Sequence, residues 1–241
     1  MTTTTPSQLP VPHAPERPRR KRRRLRWIIA GTAIFVVLVV GLVAAAIKLQ
    51  PTPAPLALPT NASAPAGPVN GTYQPTSGSV AGFRIQQSVL GLTSDVVGRT
   101  NDVTGTVTIA DSQAVTEDVR VGLLALTSGD AKTAPQFGIS LETQQYPDAI
   151  IRLREPVILD AAFASGTALT VNTAATLSLH GVTRTVTVPI SLRRDGTNIE
   201  VAGSIPVRFA DYGIARPRGY GALGSLADHG EAEFLLVLRR I

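Results

Sequence analysis

The feature that most constrains the fold of this 241-residue chain is an alternation of apolar and polar residues in its C-terminal part. Successive side chains of a β-strand point to opposite faces, so an apolar residue at every second position predicts a strand with one buried face. Four runs show this pattern clearly: residues 102–111, 117–126, 183–194 and 230–240. Further strands are expected in four more runs: residues 79–87, 147–158, 166–179 and 197–209.

About eight strands with few helical patterns predict an all-β domain, built as a closed antiparallel barrel or a sandwich. The run 194–198 (RDGTN) is a turn signal between two of the predicted strands. Residues 130–145 differ, and we interpret them as a short helix or an irregular crossover. The interior of an eight-stranded barrel is filled by side chains or shared with one small ligand.

The N-terminal part has a different organisation, in which a basic run precedes a long uncharged run. Residues 17–26 (RPRRKRRRLR) contain eight basic residues, and residues 27–47 contain no charged side chain. As a helix, this uncharged run would span roughly 30 Å, the thickness of the hydrocarbon core of a bilayer. Positive charge collects on the cytoplasmic side of such helices, so we predict a single-pass anchor with a cytoplasmic N-terminus.

This arrangement predicts four segments. Residues 1–26 are a disordered basic cytoplasmic tail, and 27–47 the transmembrane helix. Residues 48–69 are a Pro/Ala-rich linker, expected to be an extended semi-rigid spacer, and 70–241 are the β domain, on the extracytoplasmic side of the cell membrane. A cleaved signal peptide, with the alanines 44–46 as cleavage site, is the alternative reading, although signal-peptide apolar cores are shorter, about 7–15 residues.

Charge and cysteine content exclude several classes of function. Residues 1–48 hold nine basic residues against one acidic residue, whereas residues 49–241 hold 14 basic and 16 acidic ones. The β domain therefore lacks the basic surface that nucleic-acid binding requires, and we expect no nucleic-acid partner. The chain contains no cysteine, which excludes disulfides, cysteine nucleophiles and thiolate metal sites.

The histidines are the residues most suggestive of catalysis. His180 precedes Gly181 between two strand runs, and we interpret this pair as the bend of a hairpin. A Ser–His–Asp set can be written from Ser225, His229 and Asp228, but no nucleophile elbow accompanies it. His13 lies across the predicted membrane from the other two histidines, so a zinc site is not expected. We predict no catalytic residue, no metal and no cofactor.

Several motifs resemble those of the YceI-like family, in the same order along residues 70–241. They are GTYQPTSGSVAGFRIQQ (71–87), VVGRTNDVTGTVTI (96–109), YPDAIIRL (146–153), LHGVTRTVTVPI (179–190) and FADYGIARP (209–217). The resemblance implies a lipocalin-like barrel whose apolar interior accepts a long isoprenoid or acyl chain, in the periplasm or at the cell surface. Residues 128–147 depart from the family pattern in having few aromatic residues, which implies a weaker aromatic wall than in the family at large.

From the resemblance and the alternation together we predict a lipid-binding protein that sequesters or carries a polyisoprenoid, an isoprenoid quinone or a fatty acyl chain. The candidate lining residues are the apolar positions of the strand runs: Val107, Ile109, Val121, Leu123, Ile151, Leu153, Val186, Val188, Phe234 and Leu236. A one-residue error in register would turn this set outward. The glycine-rich residues 215–230 are either a lid whose Arg216 and Arg218 meet an anionic headgroup, or a solvated loop.

Three alternatives to lipid binding stay open. The first is a structural or interaction module of the cell envelope with a filled core. The second is a hydrolase or isomerase that acts on a lipid held in the barrel through His180 or His229. The third is a surface protein that binds another membrane component.

Overall fold

The structure is a computed structural model, and it describes residues 35, 37–39, 41–42, 52–128, 134–219, 221 and 224–241. The chain divides into two compact units, residues 1–50 and 51–241. In the first unit the described residues are helical and exposed. Within the ranges described, no helix is long and apolar enough to cross a membrane. The predicted cytoplasmic tail and most of the predicted transmembrane segment lie outside the described residues.

The second unit is built almost wholly from strands. The thirteen strands among its described residues are β1 (Gly71–Pro75), β2 (Val80–Val89), β3 (Leu92–Thr100), β4 (Val103–Ala110), β5 (Gln113–Gly122), β6 (Thr127–Ser128), β7 (Asp148–Leu153), β8 (Val157–Ile158), β9 (Leu169–Leu179), β10 (Val182–Asp195), β11 (Asn198–Arg208), β12 (Gly224–Leu226) and β13 (His229–Arg240). Its helices are α1 (Ala134–Ser140), α2 (Ala161–Ala164) and a 3₁₀ turn over Phe209–Tyr212.

Eight of these strands close a barrel in the order β1-β4-β5-β7-β9-β10-β11-β13, because β1 pairs with both β4 and β13. All the pairings are antiparallel. Strand β13 also pairs with β2 over Glu231–Leu235, and β2 continues the wall through β3 to β6. The prediction of an all-β antiparallel barrel with eight closing strands and few helices is therefore confirmed.

The two ends of the barrel differ. We call the end where β5 and β9 finish and β13 begins the mouth end. The β2–β3 turn, α1, the β9–β10 turn and residues 209–228 lie there. The opposite end, which we call the base end, carries the β4–β5 and β10–β11 turns and the short helix α2. Phe163 of α2 and Leu159 before it are buried, so the base end is filled by packed side chains.

The strand predictions agree with the structure where the alternation is strong and fail where strands are short or irregular. Strands β4, β10 and β13 bury the predicted faces, and the pairing of β4 with β5 shifts register between Gly105 and Val107. The alternation in residues 117–126 predicts Ala125 on the same inward face as Val121 and Leu123, and this is wrong: β5 ends at Gly122, and Ala125 is exposed beyond it. Residues 134–140 of the predicted crossover form α1, whereas residues 130–133 lie outside the described ranges.

Most of the segment predicted as a spacer instead lies along the outer wall of the barrel. We call residues 52–67 the strap. Toward the mouth end, Arg84 donates to the carbonyl of Pro53 (2.8 Å) and Arg99 to that of Ala54 (3.0 Å). Proline leaves this segment without regular backbone pairing, so half-buried arginine side chains on the barrel supply the donors instead. The predicted boundary of the β domain at residue 70 stays a prediction.

At the base end the strap makes further hydrogen bonds with the barrel. Arg193 donates to the carbonyl of Asn61 (2.8 Å), and the backbone of Ala66 donates to Gly196 in the β10–β11 turn (2.8 Å). Arg194 donates to the carbonyls of Ala66 and Gly67 (2.7 Å each) and to that of Ala164 (3.0 Å). One guanidinium group therefore joins the strap to helix α2 of the barrel.

We expect Arg194→Lys to release the base-end part of the strap, because an ammonium cannot reproduce the planar fork that reaches three carbonyls. Each lost bond to a buried carbonyl costs about 1–3 kcal/mol. Thermolysin, which cleaves before large apolar residues, should then cut at Leu56 or Leu58 faster than in the unaltered protein. Arg208→Lys, on an exposed residue of β11, is the control. Equal cleavage rates for both variants would contradict the role assigned to Arg194.

Candidate functional site

The main candidate site is an apolar cavity inside the mouth half of the barrel, with a volume of about 140 Å³ and partly open to the outside. Strands β2, β5, β7, β9, β11 and β13 supply most of the wall, and α1 and residues 209–217 supply the cover. Its apolar lining side chains include Ala81, Phe83, Ile85, Val119, Val121, Leu123, Leu126, Phe137, Leu141, Ala149, Ile151, Leu177, Leu179, Ile205, Val207, Phe209, Ile214, Pro217, Ala232, Phe234 and Leu236.

A second apolar cavity of about 80 Å³ lies deeper in the barrel, toward the base end. We call the two cavities the mouth lobe and the deep lobe. Four residues line both lobes: Val119, Ile151, Phe234 and Leu236. Because they share these walls, the lobes adjoin each other along the barrel axis. The arrangement suits a ligand that is long, narrow and apolar rather than compact and polar.

The phenylalanines of the chain converge on the mouth lobe. Of six phenylalanines, four line it: Phe83, Phe137, Phe209 and Phe234. The rings of Phe83 and Phe137 have centroids 4.4 Å apart and are tilted by 46°. The expectation of a weaker aromatic wall than in the family stays a prediction, although β2, β13 and the 3₁₀ turn bring three rings to this lobe from outside residues 128–147.

Two glycines leave space for the rings of Phe83 and Phe234. A Cβ atom on Gly98 of β3 would lie 2.4 Å from the ring of Phe83. A Cβ atom on Gly203 of β11 would lie 2.7 Å from the ring of Phe234, its cross-strand partner. Each aromatic ring therefore lies flat over a neighbouring strand instead of crossing the interior, which keeps part of the interior free.

Among the described residues that border the mouth lobe, the ionisable ones are Glu231 and Glu233, and both point to the outward face of β13, alternating with the inward Ala232 and Phe234. Glu231 is exposed, and the carboxylate of Glu233 accepts hydrogen bonds from Arg84 (2.6 Å) and Arg99 (2.8 Å). The carboxylate that is buried is thus already engaged by cations. The mouth lobe therefore presents apolar surface to a ligand. Binding there would depend on the hydrophobic effect rather than on charge.

Eight of the ten lining residues predicted from sequence lie on the walls of the two lobes. They are Val107, Val121, Leu123, Ile151, Leu153, Val188, Phe234 and Leu236. Ile109 is buried in the core without lining either lobe, and Val186 packs half-buried against the core. Their role as ligand contacts stays a prediction. Phe83, Phe137 and Phe209 were not predicted, since these lie on an irregular strand and on short helices without period-two alternation.

His180 forms the predicted turn. It lies between β9 and β10 with a φ of 51°, followed by Gly181 with a φ of 73°. Its Nδ1 lies 2.9 Å from the carbonyl oxygen of Tyr212, and its ring packs on Tyr146 with centroids 4.7 Å apart. Its Nε2 lies 3.6 Å from a carboxylate oxygen of Glu142. The histidine therefore joins the β9–β10 turn to the two covering segments of the mouth lobe.

We expect Gly181→Ala to destabilise the protein more than Gly91→Ala. Both glycines follow a positive-φ residue in a two-residue turn and have positive φ themselves, so both substitutions introduce backbone strain of about 1–2 kcal/mol. At Gly181 the new Cβ would also lie 2.7 Å from the ring of Tyr146, whereas at Gly91 it would meet nothing within 4 Å. Urea unfolding of both variants measures the difference. Equal losses of the free energy of unfolding in the two variants would show that the Tyr146 ring moves away without cost.

The other histidine of the barrel lies outside the cavity. His229 and Asp228 are both exposed, with Nδ1 and Oδ1 2.8 Å apart. The hydrogen bond from His229 lowers the pKa of Asp228. Ser225 lies in β12 and pairs through its backbone with Ser88. In the part of the chain that the structure describes, no group of three or more His, Asp or Glu side chains is arranged to hold a metal.

The glycine-rich residues 215–230 are attached to the barrel where the structure describes them. Arg216 donates from Nε to the carbonyl of Leu226 (2.7 Å), and a second, shorter contact joins the same two groups. Gly219 exchanges hydrogen bonds with the side chain of Gln136 in α1 (2.9 and 3.2 Å). Strand β12 extends the edge of β2. These bonds hold the segment against α1 and the β2–β3 hairpin, beside the mouth lobe.

Comparison with known proteins gives a family model and a set of solved structures. The model of the YceI-like domain matches residues 72–237. A polyisoprenoid binding domain from Saccharophagus degradans, implicated in plant cell wall breakdown, aligns at 20% identity with a TM-score of 0.56, covering 71% of this chain and 99% of that one. BcnA from Burkholderia cenocepacia aligns at 16% identity with a TM-score of 0.47, covering 64% and 95%. No curated protein matches the chain.

Proposed function

Because the chain belongs to the YceI-like family, we propose that it is a lipid-binding protein that holds an apolar chain inside its barrel. The ligand classes are a polyisoprenoid, an isoprenoid quinone or a fatty acyl chain. The observation that carries the proposal is the pair of adjoining lobes, which offer an apolar wall along the barrel axis. The solved relative described as a polyisoprenoid binding domain has the same fold and supports the first class.

The affinity of such a site comes from the hydrophobic effect. Each methylene transferred from water to an apolar interior contributes about 0.8 kcal/mol. Ten buried methylenes would therefore contribute about 8 kcal/mol, which corresponds to a Kd of about 1 μM before the cost of ordering the chain. No charged contact is needed for this binding. The protein would act by sequestration or carriage, without catalysis.

We further propose that residues 27–47 anchor the protein in the cell membrane, with the N-terminus in the cytoplasm and the barrel on the other side. The support is the sequence alone: a basic run followed by 21 residues without a charged side chain. An anchor would keep the barrel beside the bilayer, where a lipid with an apolar tail is found. The ligand would then be taken up and released close to the membrane.

Identification of bound lipid tests the binding proposal. Residues 52–241 include every strand, the hydrophobic core and the strap, so this part would be produced without detergent. Native and denaturing mass spectrometry and solvent extraction would then be compared. We expect a stoichiometric prenyl or acyl species that is lost on denaturation. An empty barrel that also fails to take up added lipid would refute the proposal and favour a structural module of the cell envelope.

A further inference from the structure

The wall of the barrel separates between β10 and β11 on the side of the mouth end. Strand β10 pairs with β9 over residues 182–192, but with β11 only over residues 190–195. Strand β11 continues beside β13 as far as Arg208. In the described part of the chain, the first half of β10 and the last residues of β11 are therefore not paired with each other.

Residues 209–214, which we call the side cover, follow β11 and lie beside this interval. Phe209 and Ile214 line the mouth lobe, and Tyr212 between them is buried. The backbone of Phe209 donates to the carbonyl of Asp228 (3.0 Å), which ties the start of the side cover to the segment before β13. The side cover thus forms part of the wall that separates the mouth lobe from solvent.

The β9–β10 hairpin holds the side cover through side chains and not through strand pairing. Arg184 donates from Nε to the carbonyl of Asp211 (2.5 Å), and the Nδ1 of His180 lies 2.9 Å from the carbonyl oxygen of Tyr212. Loss of these contacts would free the side cover from the hairpin without breaking a strand of the barrel. How firmly the lobe is closed therefore depends on these two side chains.

The contact with Tyr212 fixes the tautomer of His180. A carbonyl oxygen only accepts, so Nδ1 carries the hydrogen and Nε2 of the neutral ring has a lone pair. This Nε2 atom is buried and has no hydrogen-bond partner among the described residues. A carboxylate oxygen of Glu142 lies 3.6 Å from it and is also an acceptor. A proton on Nε2 would turn two facing acceptors into a donor and an acceptor of opposite charge.

The other groups packed around the imidazole do not compete for this proton. Tyr146 stacks on the ring, and its backbone donates to the carbonyl of Glu142 (2.9 Å). Burial raises the pKa of Tyr212, so its phenol stays uncharged. Arg184 and Asp211 are exposed and meet through a backbone carbonyl. The charge of the cluster therefore changes with the imidazole, which ordinarily titrates between about pH 5 and 8.

We propose that protonation of His180 latches the side cover and closes the mouth lobe. The inference rests on the lipid-binding function proposed above and adds its regulation. In acid, the imidazolium donates to the Tyr212 carbonyl through Nδ1 and to the Glu142 carboxylate through Nε2. It then joins the β9–β10 turn, the side cover and the segment after α1. Above the titration range only the bond to Tyr212 is left, so ligand is retained at acid pH and exchanged faster at alkaline pH.

Thiol labelling tests the latch in the absence of ligand. The chain has no cysteine, so Ile214→Cys places a single thiol in the side cover at a buried position. Residues 52–241, which belong to one compact unit, would be treated with dithiodipyridine in acid and alkaline buffers (about pH 5 and about pH 8). We compare this protein with the same protein carrying Glu142→Ala at each pH, which cancels the pH dependence of the thiol itself.

In the acid buffer we expect labelling to be about five-fold slower with Glu142 present, the effect of a half-exposed ion pair. In the alkaline buffer the two rates should agree, because the neutral ring has no bond to Glu142 to lose. Glu155→Ala is the control, since it removes an exposed carboxylate beyond the opposite end of β7 and should change neither rate. Equal labelling in acid with and without Glu142 would overturn the latch.

Ligand release separates the latch from the function on which it rests. The probe is a pyrene-labelled dodecanol, which has no titrating group, and excess phosphatidylcholine vesicles take it up on release. Its release from the protein without the cysteine should be about five-fold slower in the acid buffer, and independent of pH in Glu142→Ala. Failure to bind the probe in either buffer would refute the lipid site, and the thiol rates would still decide on the latch. Probe that binds and leaves at the same rate in both buffers would refute the latch alone.

Discussion

Replacement of Glu233 by alanine is expected to lower the free energy of unfolding by about 3–5 kcal/mol, the cost of removing one partner from a buried ion pair. The Glu233 residue is only 3% exposed, and its carboxylate accepts from Arg84 at 2.6 Å and from Arg99 at 2.8 Å. Without it, two guanidinium groups would be left beside each other under the strap. Among the described residues, the buried Nε and Nη1 atoms of Arg99 have no hydrogen-bond partner, and its Nη2 atom makes the bond to Glu233.

The two arginines depend on Glu233 in different ways. Burial disfavours the charged form of Arg84, but hydrogen bonds to Glu233 and Asp95 outweigh it and raise its pKa. Burial lowers the pKa of Arg99, and the charge of Arg84 adds to that effect, against the attraction of Glu233. Asp95 still pairs with Arg84 at 3.1 Å after the substitution, whereas Arg99 would lose its only ion pair among the described residues.

Urea unfolding followed by circular dichroism measures the loss. Glu231→Ala is the matched control, since Glu231 lies on the same strand and the same outward face two residues earlier, and it is exposed. We expect the control to change the free energy of unfolding by less than about 0.5 kcal/mol. Glu233→Gln should fall between the two, because it keeps the shape and loses the charge. Similar losses for Glu231→Ala and Glu233→Ala would contradict the role given to the buried cluster.

The sequence predicts the barrel better than it predicts what surrounds the cavity, and the reason is the range of the interactions. Alternation in β10 and β13 is a local property, so the strands and their buried faces could be read directly. The closure of β1 on β13 pairs Tyr73 with Arg240, and no local pattern indicates a contact between the two ends of the domain. The resemblance to the YceI-like family supplied that closure.

The strap and the aromatic wall also could not be predicted from local sequence patterns. The proline-rich residues 52–67 have the composition of a free spacer, and only the structure shows that Arg193 and Arg194 bind their carbonyl groups. Both arginines occupy the end of a strand where a charged residue is ordinarily solvated. Likewise, the rings of Phe83 and Phe137 are far apart in sequence, and their contact depends on how α1 folds over the mouth lobe. Side chains that meet through tertiary packing carry no signal in composition or periodicity.

Replacement of Val119 by phenylalanine is expected to shorten the chain that the barrel accepts. Val119 is buried on β5 and lines both lobes, so a larger side chain there would fill space where the two lobes adjoin. A ligand whose tail extends into the deep lobe would lose the burial of roughly five methylenes, about 4 kcal/mol, or about 1,000-fold in affinity. A ligand short enough to occupy the mouth lobe alone would bind as before.

Binding isotherms for a series of acyl or prenyl chains of increasing length measure this effect. In the unaltered protein the free energy of binding should become steadily more favourable with chain length, and in Val119→Phe it should reach a plateau. Val115→Phe is the control, since Val115 is on the same strand and 40% exposed, and we expect its isotherms to match those of the unaltered protein. Overpacking of a core costs about 1–3 kcal/mol. Circular dichroism would therefore be used to check that Val119→Phe still folds. An equal loss at every chain length would mean that the ligand does not enter the deep lobe, and the elongated site would then be confined to the mouth half of the barrel.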